Sequence, residues 1–185
     1  MPGETRSLTL ETRRLELIAS TADLLRAEIS DRGRFARLLE ARVHPAWAQE
    51  LDYQELMGSM AERLEDAPDE TGWWSWYFVL DNKLTGSRML IGNGGFKGPP
   101  NEEGTVEIGY SLLPPHRNKG YTTEAVQVLV SWAFEHPEVA RVIAEARPRN
   151  TASVRVLQKV GFNEVGPGLQ RNHVRFEMPR QDFVS

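Results

Sequence analysis

The 185-residue chain contains no cysteine. That excludes a disulfide scaffold, a thiolate zinc site and a cysteine nucleophile, and it fits a reducing compartment. No apolar run approaches the roughly 18 residues of a membrane span. The opening, MPGETRSLTLETRR, lacks the apolar centre of a secretory signal. Excess charge of one sign is also missing: 22 Lys and Arg stand against 26 Asp and Glu, a formal charge of −4. Non-specific nucleic-acid binding needs a concentrated cationic surface, so neither nucleic acid nor membrane is expected as a partner, and a cytoplasmic location is the expectation. A local basic pocket for a phosphorylated ligand is compatible with this balance.

What is present is an ordinary globular composition, 40% hydrophobic and 26% charged, of a length that buries a core without staples. No repeat, linker or low-complexity tract interrupts it, so residues 1–185 read as a single domain. Leu8, Leu10, Leu15 and Leu17 alternate as in strands, either two paired across a turn at 11–14 or a single bent one. Ser20 or Thr21 caps a helix that Gly33 interrupts. Residues 46–67 read as a further helix with Leu51, Leu56, Met60 and Leu64 inward. Its carboxylates, from Glu50 to Glu70, have only Arg63 among them, which makes either a solvated face or a surface attracting a cationic substrate. Strands follow at 73–80, 88–96 and 105–113, then a buried helix at 122–136 and a strand at 141–147. A helix from Asn150 or Thr151 to Val160 comes next, and Gly166-Pro167-Gly168 reads as a turn before a last alternating strand. The strand–helix–strand middle suits a right-handed parallel crossover. The expected class is α/β: a mixed, mostly antiparallel sheet with a parallel strand pair and helices on both faces.

The segment richest in chemistry is Arg117-Asn118-Lys119-Gly120-Tyr121-Thr122, which opens the buried helix. A helix N-terminus offers unpaired N–H groups and positive potential. Gly120 admits a close anion, and Arg117 and Lys119 add charge. The arrangement suits a phosphate or pyrophosphate; a plain helix start with solvent-facing bases is an equal alternative. Neither the Walker nor the dinucleotide glycine spacing is present.

The same segment resembles the acyl-CoA motif [RQ]-x-x-G-x-[GA] of the GNAT N-acetyltransferase superfamily, with Thr122 in place of the usual small residue. A second element, RPRNTASVRVLQKVGF, matches the family's N-x-x-S helix at Asn150 and Ser153 and its closing Gly161-Phe162. LTLETRRLEL and EIGYSL are most similar to the RimJ/RimL-type branch. The resemblance implies a GNAT-like fold with a splayed parallel strand pair and acetyl-CoA as co-substrate. Its pyrophosphate would lie on the N–H groups of Asn118 to Thr122. Its pantetheine would run beside Leu112 and Leu113 and meet Asn150 and Ser153. It further implies an amine acceptor, no metal and a possible homodimer.

For the chemistry, Glu107 is the candidate base, directly or through a water. Period two places it with Gly109 and Ser111 on one strand face and Val106, Ile108 and Tyr110 on the other. The alternative for Glu107 is a cross-strand ion pair with a nearby Arg or Lys. The N–H near Leu113 is the expected oxyanion donor. The position where many family members carry an acidic tyrosine holds Leu157, which leaves Ser111 or solvent to protonate the leaving thiolate. A CoA-binding sensor without turnover and a module reading only a pyrophosphate are the readings that compete with an enzyme.

Overall fold

The leucine alternation at the head of the chain folds into two short strands, β1 (Thr9–Glu11) and β2 (Leu15–Ala19). The turn between them is closed by the Leu15 N–H on Thr12 Oγ1 at 2.9 Å. The computed structural model describes residues 7–47 and 51–183, with Leu51 given by its backbone alone. Glu50 and the opening residues 1–6 therefore lie outside the described residues. The chain divides into two compact units, residues 1–93 and 94–185.

In the first unit β1 pairs antiparallel with β2, and β2 antiparallel with β3 (Ser75–Asn82), Leu17 standing opposite Phe78. Thr21 caps α1 (Ala22–Ser30) by accepting from the Leu24 N–H. The helix ends at Asp31, not at Gly33. Asp31 also caps α2 (Arg32–Leu38), its carboxylate accepting from the Arg34 N–H at 2.9 Å. A side-chain acceptor for orphan N–H groups outweighs the small penalty of a helical glycine.

Helix α3 (Leu51–Asp66) buries Met57, Ala61 and Leu64, whereas Leu56 is 57% exposed and Met60 half-buried. The expected inward face is thus rotated. Its phase follows Tyr53, which lies one turn before Met57 and is drawn inward by a hydrogen bond to α1. The acidic stretch is less naked than its composition indicates. Arg26 of α1 forks onto Glu65 at 3.0 and 3.1 Å, and Arg63 pairs with Glu70.

The centre of this unit holds a carboxylate. Glu28 of α1, 9% exposed, accepts from Trp47 Nε1 at 2.6 Å and the Tyr53 hydroxyl at 2.8 Å on one oxygen, and from the Tyr77 hydroxyl at 2.6 Å on the other. Asn93 Nδ2 donates to the Tyr53 hydroxyl at 3.0 Å. Burial holds the Glu28 pKa above the ordinary carboxylate value, against the three donors that lower it.

Strand β4 (Ser87–Phe96) carries the chain into the second unit. There β5 (Thr105–Leu112), β6 (Arg141–Ala146), β7 (Asn163–Pro167) and β8 (Val174–Pro179) stand in the order β5–β6–β8–β7. β6–β8 and β7–β8 are antiparallel, and β5–β6 is parallel. The fold is therefore mixed α/β, its described strand pairs antiparallel apart from β5–β6. Residues 163–167 form a strand where Gly166-Pro167-Gly168 reads as a turn. A register irregularity between Glu164 and Gly166, with Gly166 at φ 128°, absorbs the glycine as a bulge.

α4 (Tyr121–Glu135) buries Ala125, Val126, Leu129, Val130, Trp132, Ala133 and Phe134. α5 (Thr151–Val160) packs against it, and both lie on one face of β5 and β6, as two successive right-handed crossovers require. At the end of α5, Gly161 takes φ 107° and the Phe162 N–H reaches the Leu157 carbonyl at 3.0 Å, the expected left-handed stop. No described helix is long and apolar enough to cross a membrane.

Gly104 pins the start of the parallel pair. Its carbonyl accepts from the N–H groups of Ala140 at 2.7 Å and Arg141 at 3.2 Å. At φ +70°, a Cβ there would lie 2.5 Å from the Glu138 carbonyl oxygen. Gly104→Ala is expected to destabilise the protein by at least about 2 kcal/mol in urea unfolding, left-handed strain adding to the clash.

Glu28 gives a pH signature. Its folded-state pKa is raised, so its contribution is fully present below the ordinary carboxylate pKa and is lost as pH rises through the elevated value. The Tm difference between wild type and Glu28→Gln should shift against the wild type across that window. Glu28→Ala, which takes the acceptor from Trp47, Tyr53 and Tyr77, should destabilise at every pH.

Candidate active site

The segment between β5 and α4 builds the first part of the site. Pro114–His116 form one 3-10 turn; Asn118 (φ 59°) and Gly120 (φ 81°) then take left-handed backbone to swing the chain into α4. Gly120 is the N-cap and has no side chain to offer. The other described α-helix starts are capped by Thr21, Asp31 and Asn150. At α4, a 15-residue helix, the N-cap makes no side-chain bond to the opening turn, where the helix presents its positive end. Arg117, Asn118, Lys119 and Gly120 are exposed here, and Tyr121 and Thr122 are half-buried. Arg117 is tethered: its Nε donates to the Leu112 carbonyl at 2.9 Å, folding its guanidinium back along the strand end.

The second part is a gap. The parallel register runs Thr105–Glu107 opposite Arg141–Ile143 and, among the described residues, stops there, although both strands continue. Val106, Ile108 and Leu112 are buried, Leu113 half-buried, and Gly109 and Ser111 exposed. Nothing lies within 4 Å of where a Gly109 Cβ would be. Glu107, Gly109 and Ser111 therefore border open space beside the splayed strand.

Glu107 is engaged by Lys97, their side chains 22% and 54% exposed, and the Lys97 N–H donates to the Glu107 carbonyl at 3.0 Å. The ion-pair alternative is thus present in the structure. Asn150 Oδ1 accepts from the Ser153 N–H at 3.2 Å, the capping role open to it from sequence. Leu157 is buried in the core. His116 and His173 are half-buried. Trp47, Trp73 and Trp76 are core residues; Tyr53 is half-buried within the Glu28 cluster.

Sequence reasoning passed over Tyr110. Its hydroxyl lies 3.1 Å from Ser153 Oγ and 3.2 Å from the Ser153 carbonyl. Burial raises its pKa, and the bond to Ser153 opposes that. The signal was available: Tyr110 alternates onto the face that a right-handed crossover covers with α5, where Ser153 occupies the first turn. Among the described residues no group of three or more His, Asp and Glu could hold a metal.

The comparisons with known proteins agree with this geometry. The family model described as acetyltransferase (GNAT) domain matches residues 23–163. The uncharacterized N-acetyltransferase YjdG of Bacillus subtilis is 32% identical over 153 residues, 83% of this chain and 88% of that protein. The crystal structure of ribosomal-protein-S5-alanine acetyltransferase from Vibrio fischeri superposes with a TM-score of 0.66 at 20% identity, covering 96% of this chain and all of that one. Mycobacterium smegmatis RimJ, solved in complex with CoA-disulfide, gives 0.60 at 20% identity over 92% and 84% of the two chains; these two likenesses are of fold. With a family model across most of its length and a relative 32% identical over 83% of it, the chain belongs to the GNAT acetyltransferase family and is an acetyl-transferring enzyme.

Proposed function

We propose that residues 1–185 act as one domain that transfers the acetyl group of acetyl-CoA to a primary amine, a protein N-terminus or a small molecule, by direct attack in a ternary complex. The observation that carries this is the α4 start: a glycine N-cap, left-handed turns at Asn118 and Gly120, and two exposed bases. This combination suits a diphosphate, whose approach a glycine cap does not block, where the chain's other described α-helix starts use a side chain. The open strand beyond Glu107 supplies a route for an extended pantetheine arm past Leu112 and Leu113, paired like an added strand. Asn150 and Ser153 flank it from α5. Acetyl-CoA would bring an activated thioester; the protein would hold it and move protons.

The free amine attacks the thioester carbon, and its proton passes to Glu107, directly or through a water. For that step the Lys97–Glu107 pair must open, or Lys97 must move with the acceptor. The Leu113 N–H would donate to the oxyanion. The departing thiolate takes a proton from Ser111, exposed on Glu107's face, from solvent, or from Tyr110, whose hydroxyl already engages Ser153.

The first test is a screen with acetyl-CoA, reading free thiol, against peptides beginning with Ala or Ser, spermidine, an aminoglycoside and free amino acids. Turnover on a panel amine is expected; CoA binding without any turnover would favour the sensor reading, and stabilisation by ATP as strong as by CoA would favour a pyrophosphate module. Glu107→Gln should lower kcat by roughly 100-fold or more with the calorimetric CoA Kd unchanged. Tyr110→Phe should lower kcat about tenfold while Ser111→Ala leaves it intact, if the Tyr110–Ser153 pair supplies the proton; the reverse pattern assigns that role to Ser111.

A further inference from the structure

Lys97 directly follows β4, and its side chain is 54% exposed. Its N–H donates to the Glu107 carbonyl at 3.0 Å, which makes the two residues cross-strand neighbours with side chains on one face. Lys97 Nζ accordingly meets Glu107 Oε1. The Lys97 charge also acts on Glu145 of β6, but that carboxylate is already served. It accepts from the Leu169 N–H at 2.7 Å and the Gln170 N–H at 3.1 Å, both in the turn between β7 and β8, and Arg175 stands at 3.8 Å. The Glu145 side chain is only 4% exposed, against 22% for Glu107. Of the two carboxylates, the amine goes to Glu107.

A base must lie within hydrogen-bond reach of the proton it removes, so the nitrogen of any acceptor has to come to the Glu107 carboxylate. A primary amine of the chain itself occupies that position. An ion pair this exposed adds little stability and opens readily. The four-carbon stem of Lys97 is flexible, and Gly109, beside the open space, stands two residues or about 7 Å further along the Glu107 face. An amine tethered to the fold reacts at the high effective concentration of an intramolecular step, with no acceptor to bind first.

We propose that Lys97 is a site of self-acetylation: with acetyl-CoA bound and no outside acceptor present, its Nζ takes the acetyl group. The proposal rests on the acetyl transfer proposed above. Nζ gives a proton to Glu107 and attacks the thioester carbon; the N–C bond forms and the C–S bond breaks. Of the protons the ammonium gives up, one leaves through Glu107 to solvent and the other ends on the CoA thiol. The amide that remains carries no charge. It releases Glu107 from the ion pair, takes the internal amine out of competition with an outside acceptor, and ends the reaction after a single turnover per chain.

The test incubates the full chain with acetyl-CoA alone. A burst of thiol equal to one per chain is expected, with one acetyl group added by intact mass and mapped by peptide digestion to Lys97. The rate should not change on dilution, as a reaction within one molecule requires. Lys83, exposed and paired with Asp81, and Lys159, exposed on α5, report uncatalysed acetylation; Lys97 should be modified at least about tenfold faster. Glu107→Gln should slow modification of Lys97 by roughly 100-fold, and Lys97→Arg, which keeps a cation beside Glu107, should abolish the burst. An unmodified Lys97, a rate no higher than that of Lys83, or an unchanged rate in Glu107→Gln overturns the proposal. So does a rate per chain that rises with protein concentration, since one copy would then be acetylating another. If a panel amine is acetylated while Lys97 is not, only self-acetylation fails; if neither takes an acetyl group, acetyl transfer itself fails.

Discussion

The second unit depends on how little of β5 and β6 is paired. Parallel strands of eight and six residues share register over only three positions, Thr105–Glu107 against Arg141–Ile143. The pairing that exists is anchored at its start by the Gly104 carbonyl, which serves the first two N–H groups of the returning chain. Beyond Ile143, β6 satisfies itself through β8, where the antiparallel register continues to Ala146. The far half of β5 is thereby released from β6 without stranding the donors of β6. Backbone polar groups left without a strand partner must go to water or to a ligand. A fold that spends three pairs to align two strands and then parts them makes a slot of defined direction, ending at the α4 start.

Two buried carboxylates show how donor type decides a charge state. Glu28 meets three aromatic donors and no cation among the described residues, and burial prevails, raising its pKa. The Glu145 side chain is also hidden, but two backbone N–H groups and Arg175 and Lys97 outweigh its own desolvation, and its pKa falls. Indole and phenol donors stabilise the anion less than fixed backbone dipoles backed by guanidinium and ammonium charge. Glu28 thus behaves as a polar linchpin joining α1, Trp47, α3 and β3, whereas Glu145 is a committed anion holding a turn.

Much of this was legible in the residues. The spacing of Arg117 to Thr122, with Asn150, Ser153 and Gly161-Phe162, fixed the crossover elements and the family, because each motif depends on local backbone geometry that a sequence encodes directly: a left-handed glycine, a cap, a helix stop. The face of β5 bearing Glu107 and Gly109 was legible for the same reason, a period of two. What escaped depended on contacts between distant residues. The phase of α3 is set by Tyr53 reaching Glu28, 25 residues away. The strand at 163–167 survives its glycine because β8 offers a partner. Lys97 as the mate of Glu107, Tyr110 as the mate of Ser153, and the arginines that neutralise Glu65 and Glu70 are likewise pairings that no local pattern announces.

The helix starts carry the last step. Capping by Ser, Thr, Asp or Asn is worth roughly 0.5–2 kcal/mol over an apolar residue, and Gly recovers only part of it for want of a side-chain oxygen. Thr21, Asp31 and Asn150 take that stabilisation locally. α4 forgoes it although it is the most buried helix of its unit, with seven side chains in the core. That burial, at about 1.5–3 kcal/mol for each large apolar side chain, holds α4 in place without a cap. Core packing from Ala125 to Phe134 therefore makes a start without a side-chain cap tolerable, and such a start suits an anion from outside. The same division recurs in the strand pair, where pairing at the Gly104 end permits separation at the Leu112 end, so both elements are secured far from the site and left incomplete beside it.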